Sequence, residues 1–475
     1  MVGRWGRRIA VALPLAIALP LLGPVSIAQA ATSTNYTGST SDGGSWTADV
    51  PSNWNGILLI YSHGFGPPLA VDAPSPDANQ ALLGMGYALA GSSFGPAPPG
   101  SWWAMGSALR DQFETIADVE RQVLPHMPSH VIAIGTSMGG LVSALESENA
   151  NGRIDGSLTT CGLVAGGIQL NNYQLDGEYA MAQLLAPGVP IKLVRFLNPG
   201  DGLATGKQLD ALAQQAQATP QGRARLALAM AFLNVSTWAP GQPMPAGNDF
   251  DAQESEQYQV EFTSGAVPLT AMDFVEFARY WIEYAAGNGN SQAGNGSWTV
   301  NVDFARLLHQ SPYSPQVRAL YHEAGLDLHD DLAALTASAS IKADADAIAW
   351  LQQTSVATGR LQVPELDLHT ISDQLVPVQQ ENYYARIVRT AGANSLLRQA
   401  FVERQNHCNF TTAELAAGLL AVQHRVETGR WDDVAKPDRL EARAVALHLG
   451  DASFIPYHPD RLSGNNGPYK PALDS

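Results

Sequence analysis

The chain has 475 residues, 45% hydrophobic and 15% charged, the make-up of a globular protein with a large core rather than of a disordered chain. Its formal charge of −17 excludes nucleic acid as a partner, because that binding depends on neutralising phosphates with Lys and Arg. Length alone accommodates two or three domains.

Residues 1–30 read as a segment removed before the protein works. Arg4, Arg7 and Arg8 make a cationic start, Ile9 to Leu22 is almost wholly apolar, and Ala28-Gln29-Ala30 is a small-residue cleavage site. A membrane anchor is the competing reading. The apolar run is short for one and is broken by Pro14 and Pro20, so a secreted protein cleaved after Ala30, with no stable membrane anchor, is expected. Losing three arginines and no acids takes the charge from −17 to −20. Cys161 and Cys408 are the two cysteines. In an oxidising compartment an even count favours a disulfide, the alternative being two buried thiols.

Residues 36–62 open the folded part with an alternating run, "SWTADV", a turn, "PSNWNG", and a continuous apolar run, "ILLIYS", fit for a central strand. A short helix over 77–85 leads to a second buried run, "YALAGSS". An amphipathic helix follows over 105–124, with Leu109, Phe113, Ile116, Val119 and Val123 forming one stripe. "VIAIGTSMGG" (131–140) then runs a buried strand straight into a glycine-fenced serine and a helix. "SLTTCGLVAG" is the next buried run.

Buried strands alternating with helices predict an α/β fold, a mostly parallel sheet with helices on both faces. The alternation stops over 168–342, which reads as mainly helical and is too long for a connection. It is expected to form a helical cap inserted after the sixth strand. Alternation resumes over 343–430. The core therefore comprises 31–167 and 343–430, and 431–475 reads as a polar, Pro- and Gly-rich tail lying on the surface.

Gly135-Thr136-Ser137-Met138-Gly139 fits G-x-S-x-G at a strand-to-helix junction, the setting that gives this short pattern weight. The turn lifts the Ser137 hydroxyl above the sheet and aims the positive end of the following helix at any anion formed beside it. A serine hydroxyl needs a base, and the base needs an acid to orient it. Asp373 in "HTISDQLVPV" follows a buried strand, and His407 in "ERQNHCNFT" precedes the last long helix. Glu365 and Asp367 fall inside the strand rather than at its end, and His369 and His63 read as structural.

With its serine, aspartate and histidine in that chain order, the sequence resembles the α/β-hydrolases over residues 36–430. The resemblance implies an α/β-hydrolase fold and a catalytic set of Ser137, Asp373 and His407. It also implies an oxyanion hole from the amides of Met138, directly after the serine, and Phe65, in "SHGFG". Trp102 and Trp103 in "SWWAMG" are expected at the rim of the substrate site, with cap aromatics such as Trp238, Phe274, Phe277, Trp281 and Tyr284 over it. A Cys161–Cys408 bridge would staple the histidine loop to the sheet. Some secreted feruloyl-esterase and tannase-like hydrolases also carry a cysteine beside the histidine, paired with one directly before the serine; here that position is Thr136. The function implied is a secreted serine hydrolase of a small-molecule carboxylic ester, without metal or other cofactor. The alternatives are an acyltransferase, a capped exopeptidase and a non-catalytic binding module. Oligomeric state is not legible in the sequence.

Overall fold

A computed structural model describes residues 32–95, 100–264 and 269–464. The expected leader lies outside them. Among the described residues no helix is long and apolar enough to cross a membrane.

Two polar-edged strands start the sheet, β1 (Ser33–Ser39) and β2 (Ser45–Pro51), paired antiparallel. The buried runs follow as β3 (Ile57–Ser62), β4 (Ala88–Ser92), β5 (His130–Thr136) and β6 (Gly156–Thr160). Between them lie α1 (Pro76–Gly84), α2 (Ala108–Gln122) and α3 (Met138–Glu148). Ser75 caps α1 by accepting from the Ala78 amide, and Pro76 occupies the first turn, where a missing N–H costs nothing.

After β6 the chain leaves the sheet for eight helices: α4 (Gly167–Leu185), α5 (Pro199–Ala216), α6 (Pro220–Leu233), α7 (Phe250–Phe262), α8 (Ala271–Ala286), α9 (Phe304–Gln310), α10 (Ser314–Glu323) and α11 (Leu328–Ser338). Then α12 (Ala345–Thr354), β7 (Glu365–Ser372), α13 (Gln379–Thr390), β8 (Leu397–Gln405) and α14 (Thr412–Thr428) complete the alternation. The sheet order is β1-β2-β4-β3-β5-β6-β7-β8, with β9 (Phe454–Ile455) at the far edge and β3 to β8 parallel throughout.

The segment after Trp431 is more ordered than its composition suggests. It forms α15 (Pro437–Leu447), then β9 pairs antiparallel with β8 and covers an edge that would otherwise expose unpaired backbone groups. Further on, Asn234 at the C-cap of α6 holds both the amide and the carbonyl of Ser463, so the tail ties the sheet to the helical insertion. The helix α7 escapes a periodicity reading because "FDAQESEQYQVEF" is polar nearly all round. It still buries Glu254, Gln257 and Val260.

The insertion and the core share one hydrophobic cluster around α3: Met138 and Leu141 of that helix pack with Leu170 and Tyr173 of α4 and Ile282 of α8. Polar groups are buried too. Arg279 of α8 sits between Glu178 and Glu276 with no exposure to speak of. Burial raises several other carboxyls. Burial, then Asp210 and Glu178, push Glu261 up to about 8. Burial pushes Glu283 and Glu381 up to about 7 each. Folded, these acids hold protons that the unfolded chain sheds above about pH 4.3. Stability is therefore lost as pH rises from there through the folded values, by up to about 1.4 kcal/mol per pH unit for each group. The melting temperature is expected to fall between pH 5.5 and pH 8 in scanning calorimetry, with a shallower slope for Glu381→Gln.

Candidate active site

The turn after β5 is unusually tight. A Cβ on Gly135 would lie 2.0 Å from the Gly139 carbonyl oxygen, and one on Gly139 would lie 1.9 Å from that of Ser62. Only glycine permits strand and helix to approach this closely. Between them Ser137 adopts φ 59° and ψ −121°, strained for a residue with a side chain. Its amide donates to the Thr160 carbonyl at 3.0 Å, which pins the turn to β6.

Asp373 follows β7 and is buried. Its Oδ1 accepts from the amides of Leu375 and Val376 at 2.9 Å each, leaving Oδ2 for His407 Nδ1 at 2.7 Å. Burial alone would push this carboxyl up, but the facing His407, then His369 and the Val376 amide, hold it below the usual aspartate value. His407 lies beyond β8, flanked by Asn406 and Cys408, both at positive φ. Its Nε2 is 2.8 Å from Ser137 Oγ. With Nδ1–H donating to Asp373, Nε2 is left to accept the serine proton.

Cys408 is joined to Cys161, with Cα atoms 5.3 Å apart. The Cys408 sulfur also touches His407 Nε2 at 3.3 Å, so the bridge confines the ring as well as the loop. Cys161 follows the end of β6, its amide donating to the Leu368 carbonyl of β7 at 2.8 Å. Thr160, just before it, pairs in register with Thr136, and their hydroxyls are 3.0 Å apart. The cysteine absent from position 136 is thus supplied by the neighbouring strand.

Met138 takes the first position of α3, where the amide has no carbonyl one turn back to bond. The 63–66 loop lies against the serine: a Cβ on Gly64 would be 3.3 Å from that of Ser137. Phe65 lines the same pocket as Ser137 and His407. Two more histidines sit nearby but outside this chain of bonds. His369 is fully buried with Nδ1 2.8 Å from the Thr370 carbonyl. His63 stacks on Phe94, with Nδ1 2.7 Å from the Gly64 carbonyl. Burial lowers the pKa of both.

The pocket lies between the sheet and the insertion, lined by Leu163 and Val376 from the core and by Leu170, Phe274, Val275 and Ile282 from the helices. Trp103 lines it as well, but as a buried wall residue rather than at a rim, with its indole N–H donating to Ser355 Oγ at 3.3 Å. Trp102 is not part of the lining. It stacks on Trp281 at 5.4 Å between centroids and meets Phe65 and Phe277, an aromatic cluster beside the pocket. Of the other cap aromatics, Trp238 stands apart, packed with Ile371, Val378 and Phe401. Sequence reasoning missed the lining residues Leu170, Gln174, Val275, Ala278, Ile282 and Leu375, of which Gln174 of α4 is the polar one. Its only signal is a place one turn after Leu170 on the same helix face.

No family model matches the chain. The chain is 28% identical to an o-phthalyl amidase of Xanthobacter agilis, over 94% of this chain and 99% of that one. Among solved structures, feruloyl esterase B from Aspergillus oryzae is 15% identical, with a TM-score of 0.44 over 83% of this chain and 80% of that one. A bacterial brefeldin A esterase is 12% identical, with a TM-score of 0.35 over 93% and 81%. The order of the strands, the strained serine turn after the fifth of them and the helical insertion after the sixth give this chain the α/β-hydrolase fold.

Proposed function

We propose that the protein is a secreted serine hydrolase that cleaves a carboxylic ester through an acyl-enzyme on Ser137. The observation that carries this reading is the unbroken line from Asp373 Oδ2 to His407 Nδ1 and from His407 Nε2 to Ser137 Oγ, at 2.7 and 2.8 Å. Ser137 Oγ attacks the acyl carbon while its proton passes to His407 Nε2. Asp373 stabilises the imidazolium and keeps the ring in register. The carbonyl oxygen, now negative, is held by the amides of Met138 and Phe65, each donor worth about 3 kcal/mol in the transition state. His407 then protonates the leaving oxygen, and water repeats the sequence to free the acid. The wholly apolar and aromatic character of most of the lining supports an apolar acyl or alkoxy group as the part that fills the pocket.

Export is supported by the cationic, apolar and small-residue order of residues 1–30, and by a disulfide, which persists in oxidising compartments. A second reading, an amide rather than an ester bond, is favoured by the similarity to an amidase along nearly the full length of both chains. Both bonds pass through the same acyl-enzyme, and they differ in whether His407 can protonate an amine as it leaves.

A fluorophosphonate should label Ser137, located by peptide mass spectrometry. The labelled protein should lose turnover of 4-nitrophenyl esters. Faster cleavage of a matched anilide would move the assignment to an amidase, and formation of a new ester with added alcohol would move it to a transferase. Absence of any adduct would remove the hydrolytic reading.

A further inference from the structure

We propose that Gln174 is the polar anchor of the substrate pocket. Its side-chain amide would hydrogen-bond one oxygen substituent, a hydroxyl or a carbonyl, on the otherwise apolar group that occupies the pocket. The inference rests on the hydrolytic reading of Ser137 and narrows its substrate class.

Among the described residues, and apart from Ser137 and His407, the lining holds one side chain with hydrogen-bonding capacity to spare, and it is Gln174. The Trp103 indole is already committed to Ser355. Gln174 is 7% exposed. Among the described residues its side chain has no hydrogen-bond partner, although a primary amide carries two donors and two acceptor sites. On the same helix the Tyr173 hydroxyl accepts from Gln380 at 3.3 Å and Asn172 Oδ1 accepts from the Trp298 amide at 3.2 Å; Asn171 Oδ1 and Asn172 Nδ2 are buried without a partner among the described residues, but neither residue lines the pocket.

An amide with no protein partner adds nothing to an apolar wall that a methionine or leucine of similar volume would not supply. Structural packing therefore does not explain the residue; a ligand does. Leu170, one turn earlier, and Phe274 and Ile282 of α8 surround it with apolar surface, so a substituent without hydrogen-bonding atoms leaves the amide stranded while an oxygen satisfies it. Among the described residues no Lys or Arg lines the pocket to take over that role. A site built to bond a substrate oxygen discriminates against the analogue lacking it far more sharply than an apolar wall can discriminate by shape.

The test compares near-isosteric pairs, 4-nitrophenyl 3-hydroxybenzoate against 3-methylbenzoate and the corresponding 4-substituted pair, on the full-length protein and on Gln174→Met. The unmodified protein should favour a hydroxyl at one ring position by about tenfold in kcat/KM, and Gln174→Met should bring that ratio to about one. A ratio unmoved by the substitution at both positions, or an equal loss on both members of a pair, overturns the proposal. Gln174→Leu, with its melting temperature, separates a folding defect from a loss of recognition. A second arm needs no chemistry: calorimetric binding of methyl 3-hydroxybenzoate and methyl 3-methylbenzoate to Ser137→Ala, with and without Gln174→Met. A hydroxyl preference that vanishes with Gln174 supports the anchor even if the esters are not turned over, and a preference that persists or is absent throughout refutes it. Failure of the hydrolytic reading shows instead as no turnover and no label on an unaltered Ser137.

Discussion

Ser137→Ala is expected to lower ester turnover by about 10⁴- to 10⁶-fold, with no change in melting temperature beyond about 0.5 kcal/mol equivalent. The loss is this large because, among the described residues, the partners of His407 Nε2 are Ser137 Oγ and the Cys408 sulfur, with no second hydroxyl in reach. His407→Ala should be as damaging, and adding the two together should cost little more than either alone, since nucleophile and base act as one unit. Asp373→Asn is the more instructive variant. An asparagine can still accept the Leu375 and Val376 amides through its oxygen. It then presents an NH₂ to His407 Nδ1 in place of a carboxylate, which forces the opposite tautomer on the ring. A fall of about 10⁴-fold in kcat with a near-normal KM would identify that tautomer effect. Steady-state kinetics on the three variants decides the matter, and a Ser137→Ala protein retaining a tenth of the activity would refute the assignment.

Removing the disulfide is expected to have the second largest effect, and it should act on stability and rate together. The bridge closes a separation of 247 residues, for which the loss of unfolded-chain entropy corresponds to about 5 kcal/mol, an upper figure because native strain and residual denatured structure reduce it. Cys161→Ser with Cys408→Ser should therefore lower the denaturant midpoint substantially. It should also lower kcat by more than a generic destabilisation would at a temperature where the protein is still folded. The reason is local: Cys408 is the residue next to the base, both it and Asn406 sit at positive φ, and its sulfur touches the ring. Freed of that tether, His407 spends less time in line with Ser137, and misplacement of a reacting group by about 1 Å is worth about 10²-fold in rate. Reduction of the unmodified protein under mild conditions should reproduce the kinetic change and reoxidation should reverse it. A variant that melts earlier but keeps full kcat would show that the bridge serves the fold alone.

Much of the core was legible because its signals are local. A continuous apolar run must be a strand buried on both faces, and a stripe such as Leu109, Phe113, Ile116 and Val119 must be a helix against it. Both readings depend only on a period fixed by backbone geometry. The serine turn was legible for a similar reason: Gly135 and Gly139 stand where any Cβ would strike backbone within 2.0 Å, so the residue types record the contact. By contrast α7 and β9 were not legible. The first buries charged and amide side chains, which defeats a hydrophobic period, and the second is a two-residue strand that exists only because β8 offers it an edge.

From the sequence alone followed the alternation of strands and helices in the core, the site of the insertion, the position of the strained serine, and the choice of Asp373 over Glu365 and Asp367 by their place along β7. Those depend on neighbours in the chain, and neighbours in the chain are always neighbours in space. Tertiary structure alone decided that Trp103 is a wall and Trp102 is not, that Cys161 and Cys408 are joined rather than left as two buried thiols, and that Gln174 faces the pocket without a partner. Each of these is a contact between segments as much as 247 residues apart, formed by sheet register and helix packing, and no local pattern encodes which face of a buried helix will meet a cavity.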